Sequence, residues 1–518
     1  MYTPLTLLQS MTDAEKNRFR EWLLISHAHL VPCYDKLAAN QLAKPVFSFS
    51  GNATQETAIA FNTDAQEKLI ALLPEFYANT SASPIIQLYH LLAQIQVLFE
   101  RNQMQYYTDL IARAKAIAQQ HFLLPELEKI LQFEQKLLEN FNDNATYDAQ
   151  SKTLFYEQSQ LYEQLNNLWA YKELYLKVSN WGYLASVKTD RVKWLMHIVD
   201  HPLLQSERAA YSLNARVLYH SIKAIIFKNS DKPREAFVHT KALMELFYQH
   251  ADYAEIEWNA FLAALQQHAD MALQLHYYDD ALMVSDFLKQ IDAIYHFANI
   301  HQLQSDLRIR ALLIELRYYK ETVLFTNALN LIAVIDDILQ RDIATLTNAY
   351  YTTHILAEIA QVLFISGNFE QLMVYINKIY GMAEVCPDIA IQMQAQMLHA
   401  LAMYETGNTG TIMAEQVTRM KQFFKDNHIS LRFETLFIDM VKKMGLQQTN
   451  TAQAITVLQN YAILFDAVRA NKDTYFHLLI MAWIESKLQN QPLTQLLPNR
   501  ANAEMPVAKT TKQAVYPK

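Results

Sequence analysis

Only seven glycines occur in 518 residues, far below the usual ~7%. Sheets need glycine for tight turns and bulges, and phosphate-binding loops need it where backbone must approach a ligand; helices need it least. The scarcity therefore points to an all-α chain. Proline agrees, since none occurs between Pro233 and Pro387 and no fixed φ interrupts that stretch. Hydrophobic residues make up 51% and charged residues 19% of the chain, which supplies ample core and excludes a disordered or membrane-like composition.

The apolar residues carry a helical period. Thr12 with Glu15 three residues on is a capping-box pattern, and Phe19, Trp22 and Leu23 then share one face. A helical pair over 1–40 is expected to end near Asn40. Residues 41–64, with Pro45, Gly51 and many Ser, Thr and Asn residues, read as a loop or linker. From Ala65 to about Asn490 apolar stripes alternate with brief polar breaks, and no sustained strand alternation is visible. Helical hairpins are expected over 65–204 and a repeat region over 205–490. The tail, 491–518, has four prolines, no period, and Lys509, Lys512 and Lys518 after its last acid, Glu504, so it is expected to be disordered. The most apolar window, Tyr475 to Ile484, is about half the ~20 residues needed to span a membrane and contains His477. It reads as a buried helix.

The clearest breaks, Ser366-Gly367-Asn368 and Thr406-Gly407-Asn408, lie 40 residues apart, each placing glycine and asparagine where helices end. Aligning the first inward position of each second helix gives Ala236, Ala281, Thr322, Leu372, Ile412 and Ala454, at intervals of 45, 41, 50, 40 and 42 residues. A hairpin of that size cannot bury its apolar face alone, so neighbours must stack. The segments His276-Tyr-Tyr-Asp-Asp-Ala281 and Gly367-Asn-Phe-Glu-Gln-Leu372 resemble the turn of the tetratricopeptide-repeat superfamily. The resemblance covers residues 205–490, with intervals longer than the family's usual 34 and no aromatic before Ile412 or Ala454. In the front half, Leu98-Phe-Glu-Arg-Asn-Gln-Met-Gln-Tyr-Tyr, Pro125-Glu-Leu-Glu-Lys-Ile-Leu and Leu165-Asn-Asn-Leu-Trp-Ala-Tyr-Lys-Glu-Leu-Tyr resemble a group of bacterial tetratricopeptide-like proteins of unassigned function. These likenesses imply a right-handed α-solenoid of stacked antiparallel helical hairpins, with the first helix of each repeat lining a concave surface. Counting back from the turns places Gln266, Asp270, His354, Gln361 and Gln394 on that groove, where their replacement is expected to affect binding and hardly stability.

Chemistry-bearing patterns are sparse. His197 and His201 share a helix face beside Asp200, but no third ligand is identifiable and a polar helix end explains them. His27, His29 and Cys33 sit in a turn before and after Pro32, and residues two apart do not share a helix face. His268, Asp270, His276, Asp279 and Asp280 straddle a hairpin and read as a solvated turn, with Tyr277 and Tyr278 as packing material. No dinucleotide fingerprint, phosphate loop or nucleophile elbow is present, and pairs such as Asp336-Asp337 read as exposed charge. No catalytic residue, metal site or cofactor is assigned. Net charge −8 and pI near 6.1 remove the general footprint of a nucleic-acid binder, and the 29 tyrosines are expected at helix interfaces. Two cysteines suggest no disulfide framework, and residues 1–20 show no secretory pattern, so a cytoplasmic protein without membrane insertion is expected. The leading expectation is a non-catalytic scaffold that binds a protein, a peptide or another copy of itself through a solenoid groove. The alternative is a ligand-responsive regulator with the amino-terminal helices as output.

Overall fold

A computed structural model describes residues 13–38, 83–101, 103, 108–139, 144–180, 188–230, 232–295, 300–342, 349–408, 410–427, 429, 432–445, 451–468 and 475–497, with isolated residues 68, 72 and 76. Among these residues there are twenty-one α-helices and no strand, as the glycine scarcity implies. The expected linker at 41–64 lies outside the described residues. The chain divides into two compact units, Met1–Ala264 with Tyr295–Gln302 and Leu265–Ile294 with Leu303–Lys518.

The first unit opens with α1 (Asp13–Ser26) and α2 (Val31–Ala38). Phe19 packs edge-on against Tyr34 with 5.5 Å between ring centroids, and Arg20 donates to the carboxylate of Asp35 at 2.7 and 3.0 Å. There follow α3 (Pro84–Glu100), α4 (Thr108–Gln120), α5 (Leu124–Leu138), α6 (Asn144–Ser179), α7 (Lys188–Val199), α8 (Leu213–Asn229), α9 (Pro233–Gln249), α10 (Ala251–Ile256) and α11 (Trp258–Gln274), within which the unit boundary falls. Consecutive helices α3 to α6 pack on one another, and α8 packs on both α6 and α9. The 36-residue α6 turns Leu154, Leu161, Leu165, Leu168 and Tyr171 into a core shared with Leu131, Leu195, Tyr219 and Ile222.

The second unit continues with α12 (Tyr278–Ile294), α13 (Ile300–Glu321), α14 (Phe325–Asp342), α15 (Ala349–Ile365), α16 (Phe369–Gly381), α17 (Ile389–Glu405), α18 (Thr411–Asp426), α19 (Arg432–Gly445), α20 (Thr451–Val468) and α21 (Tyr475–Gln489). From α14 onward each helix packs on the next, and α17 also packs on α15 and α19. One continuous core runs from Ile309 to Leu497. Leu496 and Leu497 are buried in a short helical turn, so the first residues of the expected tail are structured; 498–518 lie outside the described residues.

The repeat is clearer in the backbone than in the residues that carry it. His276, Val323, Gly367 and Gly407 all adopt left-handed φ, from 59 to 75°. Each closes a helix with the same two bonds. Tyr277, Leu324, Asn368 and Asn408 donate backbone N–H groups to Ala272, Tyr319, Leu363 and Met403, at 2.8 to 3.0 Å, and the left-handed residues donate to Leu273, Lys320, Phe364 and Tyr404. This is the Schellman arrangement, which satisfies carbonyls that the helix end leaves open. Phe122 makes the same turn in the first unit.

Two alignment positions need correction. Thr322 lies in the turn, with its hydroxyl bonded to the Tyr318 carbonyl at 2.7 Å, and the buried inward residue of α14 is Ala328. Ile412 is 53% exposed, and the residue that enters the core of α18 is Met413. With Ala328 and Met413 substituted, the intervals become 45, 47, 44, 41 and 41 residues, narrower than the earlier spread.

Candidate functional site

The last turn of α13 places Arg317, Lys320 and Glu321 on one face, because positions three and four apart are neighbours on a helix. Charge removed from water is costly unless it is paired, and here the pairing is extensive. Arg317 donates Nε to Glu358 Oε1 and Nη1 to Asp270 Oδ1, both at 2.8 Å, and its Nη2 lies 3.4 Å from His354 Nδ1. Lys320 donates to the other oxygen of Glu358 and to Gln361 Oε1 at 2.8 Å. Gln361 in turn reaches Gln394 Oε1 at 3.4 Å, and Gln266 reaches Asp270 Oδ1 at 3.2 Å. His354 Nε2 faces Asp388 at 3.5 Å.

All five residues named from the sequence, Gln266, Asp270, His354, Gln361 and Gln394, thus join one polar strip carried by α11, α13, α15 and α17. The charged residues at its centre, Arg317, Lys320, Glu321 and Glu358, were missed. A signal existed: Arg317, Lys320 and Glu321 follow the apolar stretch Ala311-Leu-Leu-Ile314 of α13, and Glu358 interrupts the apolar run of α15. The expectation that all five side chains are dispensable for stability does not hold, because Gln266 and Gln361 are buried and a buried bonded amide cannot be removed without cost. The hairpin around His276 also differs from a solvated turn: His268 is fully buried, and His276 Nδ1 lies 2.8 Å from the Tyr278 hydroxyl.

Arg317 and Lys320 balance Asp270 and Glu358, so ionisation of Glu321 adds a negative charge in excess. Burial opposes the ionisation of Glu358, but Lys320 and Arg317 together bring its carboxyl down to about 2. Glu321 goes the other way: burial, reinforced by Glu358, pushes it up to about 7 against the pull of Lys320 and Arg317. Its Oε2 is buried without a hydrogen-bond partner, and so is Oε1 of Gln266. Both are acceptors, while His354 Nε2, also buried without a hydrogen-bond partner, faces Asp388 from 3.5 Å.

Beside this strip, α21 occupies the apolar surface. Its Tyr475 hydroxyl donates to the Lys320 carbonyl at 3.2 Å, and the Lys320 ammonium lies 4.2 Å from the Tyr475 ring centre. His477 stacks on Phe433 of α19 at 4.0 Å. Trp483 and Lys487 both donate to Glu405 of α17, at 2.6 Å. Phe476, Leu479, Ile480, Trp483 and Ile484 are all buried. At about 1.5–3 kcal/mol each, those five side chains match the stability of an ordinary domain, so α21 is a permanent part of the unit. The apolar window at Tyr475 to Ile484 is therefore the buried helix its sequence implies.

The remaining candidates have structural roles. His201 Nδ1 caps the turn Pro202–Leu204 by accepting from Leu203 N at 3.3 Å. The His27 and His29 rings lie edge to face at 6.3 Å. In the first unit His220 and His239 meet Nδ1 to Nδ1 at 3.0 Å, a pair the sequence did not suggest, and burial lowers both, His239 to about 4. Among the described residues, no group of three or more His, Cys, Asp or Glu side chains is placed to hold a metal ion, and no helix is long and apolar enough to cross a membrane. Fold and site together define, among the described residues, an all-helical protein of packed helices with a buried ion-pair strip. Set against known protein families, curated proteins and solved structures, the chain matches none.

Proposed function

We propose that the chain is a non-catalytic binding scaffold of the tetratricopeptide-like kind, its hairpins stacked as a right-handed α-solenoid, and that the strip around Glu321 receives an ammonium group of a peptide or protein partner. The observation that supports this reading is the Oε2 of Glu321, buried without a hydrogen-bond partner in a cluster that gains an excess negative charge when Glu321 ionises. A water molecule would donate to the open acceptors without neutralising that charge; an ammonium does both. The net charge of −8 attracts such a partner from a distance and repels nucleic acid. The setting in this reading is cytoplasmic, and no cofactor is required.

The test is fluorescence anisotropy of short lysine-containing peptides on the intact chain, beside the same peptides acetylated on every amine. Acetylation and Glu321→Gln should each weaken binding by about ten- to a hundredfold, the value of a charged hydrogen bond. Because Glu321 is pushed up to about 7, affinity should also fall as the pH drops below neutrality and the carboxyl takes up its proton. Affinity indifferent to acetylation and to Glu321→Gln would overturn the assignment.

A further inference from the structure

We infer that His220 and His239 form an acid-sensitive clasp between α8 and α9, which stays closed around one shared hydrogen and opens when both rings are protonated. Their Nδ1 atoms lie 3.0 Å apart. An imidazole nitrogen either carries hydrogen or offers a lone pair, so one Nδ1 must donate and the other accept. On its other side His220 presents Nε2 to Glu207 Oε2 at 3.6 Å, and that carboxylate favours hydrogen on Nε2. In the neutral pair His220 Nδ1 therefore accepts and His239 Nδ1 donates. A single added proton leaves one hydrogen between the rings, whichever ring takes the charge. A second puts hydrogen on each Nδ1, and two like-charged N–H groups then face each other at a separation that only a hydrogen bond allows. The contact must break.

The surroundings work against that second proton. The pair is faced by Glu207 from the short turn Glu207–Ala209 and by Arg216 and Lys223 of α8, and Arg216 Nε is tied to Glu207 Oε1 at 2.8 Å. Lys232, just before α9, lies 5.9 Å from the centre of the Phe227 ring, which stacks on His239 at 5.6 Å. Tyr219 stands edge-on to both imidazoles, at 5.0 and 6.0 Å. Three cations thus stand against one carboxylate around two half-enclosed or buried rings. Burial first, then the charges of His220 and Lys223, bring His239 down to about 4, whereas a solvated imidazole titrates near 6.5. A depressed folded value means that the clasp contributes fully above about pH 6.5 and loses its contribution as the pH falls toward 4. This inference is independent of any ligand at Glu321.

Hydrogen exchange of the intact chain between pH 7 and 4, read by mass spectrometry on peptides from α8 and α9 and corrected for the intrinsic pH dependence of exchange, tests it. The opening equilibrium of these helices should rise by about tenfold per pH unit between 6.5 and 4, about three hundredfold in all. In His239→Gln the side-chain amide can donate to a neutral His220 or accept from a protonated one, so the helices should stay paired and the rise should shrink by at least tenfold. His239→Phe, which keeps a ring against Phe227 and takes up no proton, should flatten the rise as well. Protection of α8 and α9 that does not change down to pH 4 in the unaltered chain, or the same pH dependence in both variants as in that chain, overturns the inference.

Discussion

Two helices of this protein carry comparable aromatic cargo and treat it in opposite ways. In α21, Phe476 and Trp483 are enclosed, and Trp483 is only 2% exposed; in α6, Phe155 and Trp169 stand in solvent while one adjacent face is buried. Composition does not separate them. The number of neighbours does, because α21 touches α13, α17, α19 and α20 around its circumference, whereas α6 is covered by α5 and α8 and core residues of α7. A side chain's hydrophobicity says that it gains from burial; the surrounding helices decide whether burial is achieved within one chain.

The sharpest way to break that contrast is at its tryptophans. Trp483→Ala should cost about 3–5 kcal/mol, read as a fall in the denaturation midpoint, because it empties a closed space and frees Glu405 from its indole donor. Next in size is Glu358→Gln. Removing the carboxylate that joins Arg317 to Lys320 leaves two buried cations under-compensated and should cost about 3 kcal/mol, measured by the same denaturation. A third experiment separates the two carboxylates of the strip by pH. Glu321 has a raised folded value, about 7, so its contribution is fully present below the unfolded value near 4.3 and is lost as the pH rises toward 7. Glu358, held near 2, contributes above that unfolded value and loses its contribution as the pH falls toward 2. Glu321→Gln should therefore flatten the decline in stability between about pH 4.5 and 7 while leaving the acid limb unchanged.

Smaller effects are expected away from enclosed groups. Val323 holds a left-handed φ of 65°, a conformation that costs a side chain with a Cβ roughly 1–2 kcal/mol. Val323→Gly should raise stability by about 1 kcal/mol after the added freedom of the unfolded chain is subtracted, visible as a rise in melting temperature. Smallest of all is Trp169→Ala, which should change the stability of the monomer by no more than about 0.5 kcal/mol. Were it to cost as much as Trp483→Ala, the difference between the two helices would disappear.

Much of the fold was legible because it is written in period and punctuation. The buried helix at Tyr475 to Ile484, the turn at His276 and the breaks at Gly367 and Gly407 all followed from apolar spacing and helix-ending residues. Val323 was not legible, since a β-branched residue is the last expected at a left-handed position, and Thr322 was taken for an inward position as a result. The strip was half visible. Its amides, Asp270 and His354 could be counted back from turns, but Arg317, Lys320 and Glu321 look like an exposed helix end until Glu358 is brought opposite them by tertiary packing. Tyr162 of α6 was one of the tyrosines assigned collectively to helix interfaces. That assignment holds for buried Tyr171 and Tyr375 but not for Tyr162.

The position of α21 has a consequence for how the protein comes into being. The tyrosine that covers Lys320 lies 155 residues further along the chain. At 5–20 residues per second, a ribosome needs roughly 10–30 s to deliver it. As the helices from α13 to α20 emerge during that interval they lack α21, and the apolar side chains that pack on it and the charge cluster at Lys320 are left uncovered. The second unit can thus begin to assemble from its early hairpins as they emerge, but it cannot close until its last long helix arrives. The nascent chain is at its most adhesive in the seconds just before that arrival.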